Sequence, residues 1–135
     1  MNIPNRRHLT GVESREAERL RLLVQESPAI LWAFDEINSR MIYVNVAVKE
    51  LLGYEESRFY ERSTFWFELI HPEDRGLASA ENHVMRQDKK TIRYNVRFRA
   101  AAGNYVRLTT AVKPILDDKG HIVRTEGAAI LAPEP

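Results

Sequence analysis

Between Thr91 and Arg99 apolar residues fall on every second position, Ile92, Tyr94, Val96 and Phe98, with polar residues between them. A period of two is that of a half-buried strand. Tyr105 to Ile115 repeats the pattern with Val106, Leu108, Thr110 and Val112, after a turn at Ala102-Gly103-Asn104. Asp117 to Gly120 predicts a further hairpin turn and a last strand over about 121–131. Near the start, Ile30–Asp35 and Met41–Asn45 are two short runs rich in aromatic and branched residues, separated by a turn at 36–40, and predict a hairpin.

The period changes elsewhere. Thr10-Gly11-Val12-Glu13 has the spacing of a capping box before a charged segment, predicting a helix over 12–26 with an apolar stripe of Ala17, Leu20, Leu23 and Val24. Asn45 suits an N-cap for a helix over 46–52, with Val48, Leu51 and Leu52 inward and Gly53 at its left-handed end. Tyr54 to Ser63 predicts loop plus a short helical turn. Phe65 to Met85 is an aromatic segment broken at His71-Pro72, where one short helix ends and an amphipathic one begins, with Glu73 and Asp74 favouring its positive end.

At about 100° per residue, Leu77, Ala80, Val84 and Met85 gather on one face of that helix, with Ala78 and Glu81 at its border. Asn82, Arg86, Ser79 and His83 point elsewhere. The whole is α+β, with strands grouped at both ends of the chain. The expected organisation is a mobile tail over 1–11, a flanking helix over 12–26, one domain over 27–131 and a C-terminal tail over 132–135.

Composition narrows the chemistry. Lys and Arg number 20 against 19 Asp and Glu, which gives no global argument for nucleic acid or an anionic membrane. Arg93, Arg97 and Arg99 share one strand face, and a solvated sheet face accounts for them better than a phosphate backbone does. No cysteine is present, which excludes disulfides and thiolate ligands and suits a reducing cytoplasm. No run of apolar residues is long enough to span a membrane, and neither secretion nor a membrane partner is expected. The acid-base candidates are His71 with Asp74, or Glu81, but His71-Pro72-Glu73-Asp74 is explained by a loop entering a helix.

Specific residues add more in sequence: Ile42-Tyr43-Val44-Asn45, Glu50-Leu51-Leu52-Gly53-Tyr54, Ile70-His71-Pro72-Glu73-Asp74-Arg75, the Gly103 turn, Pro114, Asp117-Asp118-Lys119-Gly120 and Gly127. In this order and spacing they resemble the PAS (Per-Arnt-Sim) sensory domain with its PAC region, of the subgroup found in bacterial signalling proteins, over about residues 20–131. The resemblance implies a five-stranded antiparallel sheet in the order 2-1-5-4-3, with helices over one face and a small cavity between. It implies a cytoplasmic sensor that binds a small ligand or partner and signals to a kinase, cyclase or transcription effector. It also implies homodimers through the flanking helix, with Ala17, Leu20, Leu23 and Val24 as interface candidates.

If there is a pocket, its helix wall is expected from Leu77, Ala80, Glu81, Val84 and Met85 and its sheet wall from Trp32, Phe34, Tyr94, Val96 and Phe98. A filled hydrophobic core describes the same residues equally well, which leaves a dimerisation module without ligand as the alternative. A covalent flavin adduct is not expected without cysteine. Haem is not expected because His83, at about 240° from Leu77, lies outside the apolar stripe. A noncovalent flavin or another small molecule stays open. Two features depart from the family pattern: the missing cysteine, and an ending of Ala128 to Pro135 in place of the usual Asp-Ile/Val-Thr/Ser exit triplet.

Overall fold

The computed structural model describes residues 11–133; residues 1–10, with the Thr10 cap, and the last two residues, Glu134 and Pro135, lie outside them. Alternation decides the sheet. In β3 (Ile92–Arg99) the side chains of Ile92, Tyr94, Val96 and Phe98 are all buried, while Arg93, Asn95 and Arg99 stay in water. β4 (Tyr105–Leu116) pairs with it, setting Phe98 opposite Val106 and Tyr94 opposite Thr110. β5 (Ile122–Leu131) pairs with β4 on one side and with β1 (Ile30–Asp35) on the other, and β2 (Arg40–Val44) closes the far edge. All pairs are antiparallel and the order is β2-β1-β5-β4-β3, as the resemblance implies.

The helices cover the inward face. α2 (Ala47–Leu52) buries Ala47, Val48 and Leu52 and stops at Gly53, whose φ of 85° favours glycine. A Cβ there would also stand 3.2 Å from that of Ala101. Residues 54–63 are loop around one short helix, as expected: α3 (Ser57–Glu61) delivers Phe59 into an edge-to-face group with Tyr54 and Phe65. α4 (Phe65–Glu68) follows, and Leu69 to His71 then run along the outer edge of β3, with Arg99 N donating to Leu69 O and His71 N to Arg97 O.

Pro72 opens a 3₁₀ turn, Pro72–Asp74, and the α-helix α5 starts one turn later than expected and runs Arg75–Asp88. Its orientation also differs. Ala78 and Met85 are its buried residues, Leu77 is 49% exposed and Ala80 is exposed, so the inward face is turned by about 70° from the most apolar stripe. Arg75 holds this rotation at the first turn by donating from Nε to Ile70 O and from Nη2 to Glu68 O.

Asn45 does not cap α2. The residue before that helix is Val46, which makes no side-chain cap bond, and Asn45 is fully buried. Its Oδ1 accepts from Leu31 N at 2.9 Å, and its Nδ2 donates to Val24 O and Ala29 O, both at 2.9 Å. It thus ties the end of α1 (Gly11–Glu26) to the start of β1. α1 begins at Gly11, inside the expected tail, and has no buried residue.

Candidate functional site

The helices do not fill the space over the middle of the sheet. A cavity of about 190 Å³ lies there, floored by Trp32 and Phe34 of β1, Met41 of β2 and Tyr94 of β3. α4 contributes Trp66 and Phe67, and α5 contributes Asn82, Met85 and Arg86. Val112, Thr125, Ser63 and Glu36 complete the wall.

The aromatic walls are packed on one another. The Trp66 ring lies 4.8 Å from Trp32 and 4.5 Å from Phe98, so one α4 side chain bridges helix layer and sheet. Gly127, opposite Trp32 in the β1–β5 register, makes room for that indole: a Cβ at 127 would fall 2.0 Å from Cζ2 of Trp32. Burial pushes the Tyr94 phenol up to about 12, and the neighbouring Trp66 indole N–H pulls it back in part. Trp66 Nε1 itself makes no hydrogen bond of ordinary geometry, so the two groups are close but poorly aligned.

At the mouth stands a polar cluster drawn from three elements. Glu36 accepts from Arg86 Nη2 at 3.0 Å and from Thr125 Oγ1 at 3.1 Å. The two charges differ in burial: the Glu36 side chain is 14% exposed and that of Arg86 52%.

Of the ten pocket residues expected from sequence, Trp32, Phe34, Met85 and Tyr94 line the cavity. Val96 and Phe98 are fully buried in the core, Val84 packs against it, and Glu81 is half-buried outside the wall. Leu77 and Ala80 are corrected to the exposed side of α5 by the rotation described above, and Asn82 and Arg86 are corrected to the cavity side. The open mouth and Glu36 accommodate those two polar groups, so the inward face is not the most apolar one. His83 is exposed. Sequence reasoning missed Trp66, Phe67, Glu36 and Thr125; the Phe-Trp-Phe run was the available signal for the first two.

The side chains of the acid-base candidates His71 and Asp74 bond other partners, not each other. Asp74 serves neither the helix dipole alone nor a histidine; its Oδ2 accepts from Arg97 N at 2.8 Å and Nε at 2.9 Å, and its Oδ1 from Nη2 at 2.9 Å. The Nδ1 of His71 accepts from Glu73 N. Arg97 is therefore a cross-link between the α5 entrance and β3, and of the expected stripe Arg93 and Arg99 are exposed while Arg97 is half-buried. Among the described residues no group of three His, Asp or Glu is placed to hold a metal ion, and no helix is long and apolar enough to cross a membrane.

The Arg97 guanidinium holds the Asp74 carboxyl down at about 2. A carboxyl whose folded value lies below its unfolded one stabilises the fold above the unfolded value, and that contribution fades as pH falls through the folded one. The stability advantage of the native protein over Asp74→Asn is expected to shrink as pH drops from 3.8 toward 2. Urea unfolding of both proteins across that window checks it, and the difference curve removes the similarly lowered Asp35 and Asp117. A constant difference would mean that the ion pair contributes nothing.

On α1, the interface candidates Ala17, Leu20 and Leu23 are exposed and Val24 is half-buried; Val12 is exposed on the same face and Leu22 on the opposite one. Tyr43 donates to Gln25 Oε1, a second tie between the end of this helix and the sheet.

The family model described as the PAS fold matches residues 41–129. No curated protein matches the chain. Among solved structures it is similar to a domain of a histidine kinase from Haloarcula marismortui, named for light and redox sensing, at 26% identity and a TM-score of 0.70, with 86% of this chain and 99% of that one covered. It is also similar to the N-terminal domain of a diguanylate cyclase with a PAS/PAC sensor from Marinobacter aquaeolei, at 20% identity and a TM-score of 0.70, covering 76% and 94%. A PAS domain from Colwellia psychrerythraea gives a TM-score of 0.73 at 14% identity, covering 87% and 97%.

Proposed function

Because this chain belongs to the PAS fold family, we propose that it is the cytoplasmic sensory module of a signalling protein, taking up a small ligand and passing the change to a kinase, cyclase or transcription regulator. The observation that carries this reading is the cavity between α4, α5 and the sheet, joined through the β1–β2 hairpin to Asn45 and the end of α1. A ligand that shifts Trp32 moves the strand whose Leu31 N–H bonds Asn45, and Asn45 holds the last turn of α1. The histidine kinase at 26% identity among the structural neighbours supports a kinase as one such effector.

Size selects the ligand. An engineered cavity of about 150 Å³ holds benzene, so about 190 Å³ suits a molecule of one ring. An acid-base reaction finds no support in the site, because His71 and Asp74 are engaged with backbone and Arg97.

The second function of α1 is dimerisation. Leu20 and Leu23 are 60% and 62% exposed, with Val12 on the same face of α1, and a partner helix or sheet would cover this surface. Native mass spectrometry of protein purified from cells tests both parts at once. The expected spectrum is a dimer carrying a retained small molecule, and Leu20→Lys with Leu23→Lys reduces it to monomer. A monomer in the unchanged protein contradicts the role of α1; a dimer of bare mass would favour the dimerisation module with an unliganded core.

A further inference from the structure

The two charges at the cavity mouth are unequal partners, and their inequality says what the cavity selects. Glu36 is nearly buried and doubly held, by Thr125 Oγ1 and by Arg86. Arg86 sits near the end of α5 with half of its side chain in water, so its guanidinium can leave for solvent at little cost. The carboxylate cannot follow. If Arg86 departs, Glu36 is a part-buried charge held by Thr125 Oγ1 alone, and another cation would compensate it.

The remaining wall favours the same sign. Five aromatic rings line the cavity, those of Trp32, Phe34, Trp66, Phe67 and Tyr94, together with the thioethers of Met41 and Met85. Ring faces attract cations and repel anions, and the attraction grows where water is excluded. An anionic ligand would have to pull Arg86 from Glu36, leave that carboxylate uncompensated and sit against aromatic faces. A cationic ligand replaces Arg86 at Glu36 and gains the rings.

We propose that the cavity binds a small organic cation, a protonated amine or quaternary ammonium on a body of about one ring, and that Glu36 is its counter-ion while Arg86 is the internal competitor it displaces. The inference rests on the reading that the cavity takes a ligand, and deepens it. Release of Arg86 would also break its tie from α5 to the turn after β1, so that binding loosens one link between the helix layer and the sheet.

The test uses three probes with one ring and different charge: benzylamine, benzyl alcohol and benzoate, titrated calorimetrically at neutral pH into the native protein, Glu36→Gln and Arg86→Gln. Benzylamine is expected to bind best, with its affinity lowered about tenfold in Glu36→Gln and raised about threefold in Arg86→Gln. The opposite signs of the two variants are the signature; a loss from disturbed packing would weaken binding in both. Should Glu36→Gln not fold, the gain in Arg86→Gln still decides. Preference for benzoate, or equal affinities for benzyl alcohol and benzylamine in all three proteins, overturns the cation assignment and leaves the ligand reading standing. No binding by any probe overturns both.

Discussion

Alanine at position 127 destabilises the domain by about 2 kcal/mol, the usual range for overpacking a filled core, and abolishes uptake of a cavity ligand. The new methyl group would stand 2.0 Å from Cζ2 and 2.3 Å from Cε2 of Trp32, far inside contact distance. Trp32 also packs against Trp66 and lines the cavity, so the open space for a displaced indole is the cavity. The ring therefore moves, relieving part of the clash at the expense of the binding space. Urea unfolding followed by tryptophan emission reads the first effect and benzylamine titration the second. A variant within about 0.5 kcal/mol of the native protein, the scatter of neutral surface substitutions, that still binds would show that the Trp32 ring does not rest on Gly127.

Asn45→Ala is expected to cost about 3 kcal/mol, because it removes a fully buried amide that serves three part-buried backbone groups, Leu31 N–H, Ala29 C=O and Val24 C=O, of which Val24 C=O keeps a long bond from Ser27 N. Asn45→Asp is the sharper comparison. The carboxylate keeps an acceptor for Leu31 N–H but turns an oxygen toward two carbonyls, so it is expected to be no more stable than Asn45→Ala despite its matching size. Thermal unfolding of the three proteins ranks them. If Asn45→Asp approaches the native protein, the amide is not donating to Val24 and Ala29.

These two residues mark the boundary of what the sequence made legible. Alternation in Ile92 to Phe98 and in Val106 to Val112 is a local signal, and the structure places those strands where the pattern puts them. Gly53 likewise follows from one helix end. Asn45 carries the wrong local signal: it stands where an N-cap belongs, but its partners lie 14, 16 and 21 residues away, and no spacing rule reaches that far. Gly127 is noticed only as a family position; its reason is an indole on a neighbouring strand.

The cavity was half legible for the same reason. Trp32, Phe34 and Tyr94 lie on strands whose facing is fixed by a period of two, so they fall where expected. The rotation of α5 is set by Arg75 bonding the backbone of the preceding segment, and a helical wheel sees only the helix. Counting apolar residues therefore selected Leu77 and Ala80, which are exposed, and passed over Asn82 and Arg86. The Glu36–Arg86 pair spans 50 residues and three elements with Thr125, and Asp74 meets Arg97 across 23. Ion pairs of this kind arise from the sheet order, which periodicity does not supply.

Amide hydrogen exchange with and without benzylamine, on the native protein and on Asn45→Ala, tests most directly whether this domain senses through its cavity. In the native protein the probe is expected to alter exchange around the cavity in α5 and β1 and also in the last turn of α1, at Val24 to Glu26. In Asn45→Ala the cavity response persists and the response of α1 is lost. An unchanged α1 in the native protein, alongside clear protection at the cavity, would contradict the account: the cavity would then bind without signalling along the path from Trp32 through Asn45 to α1.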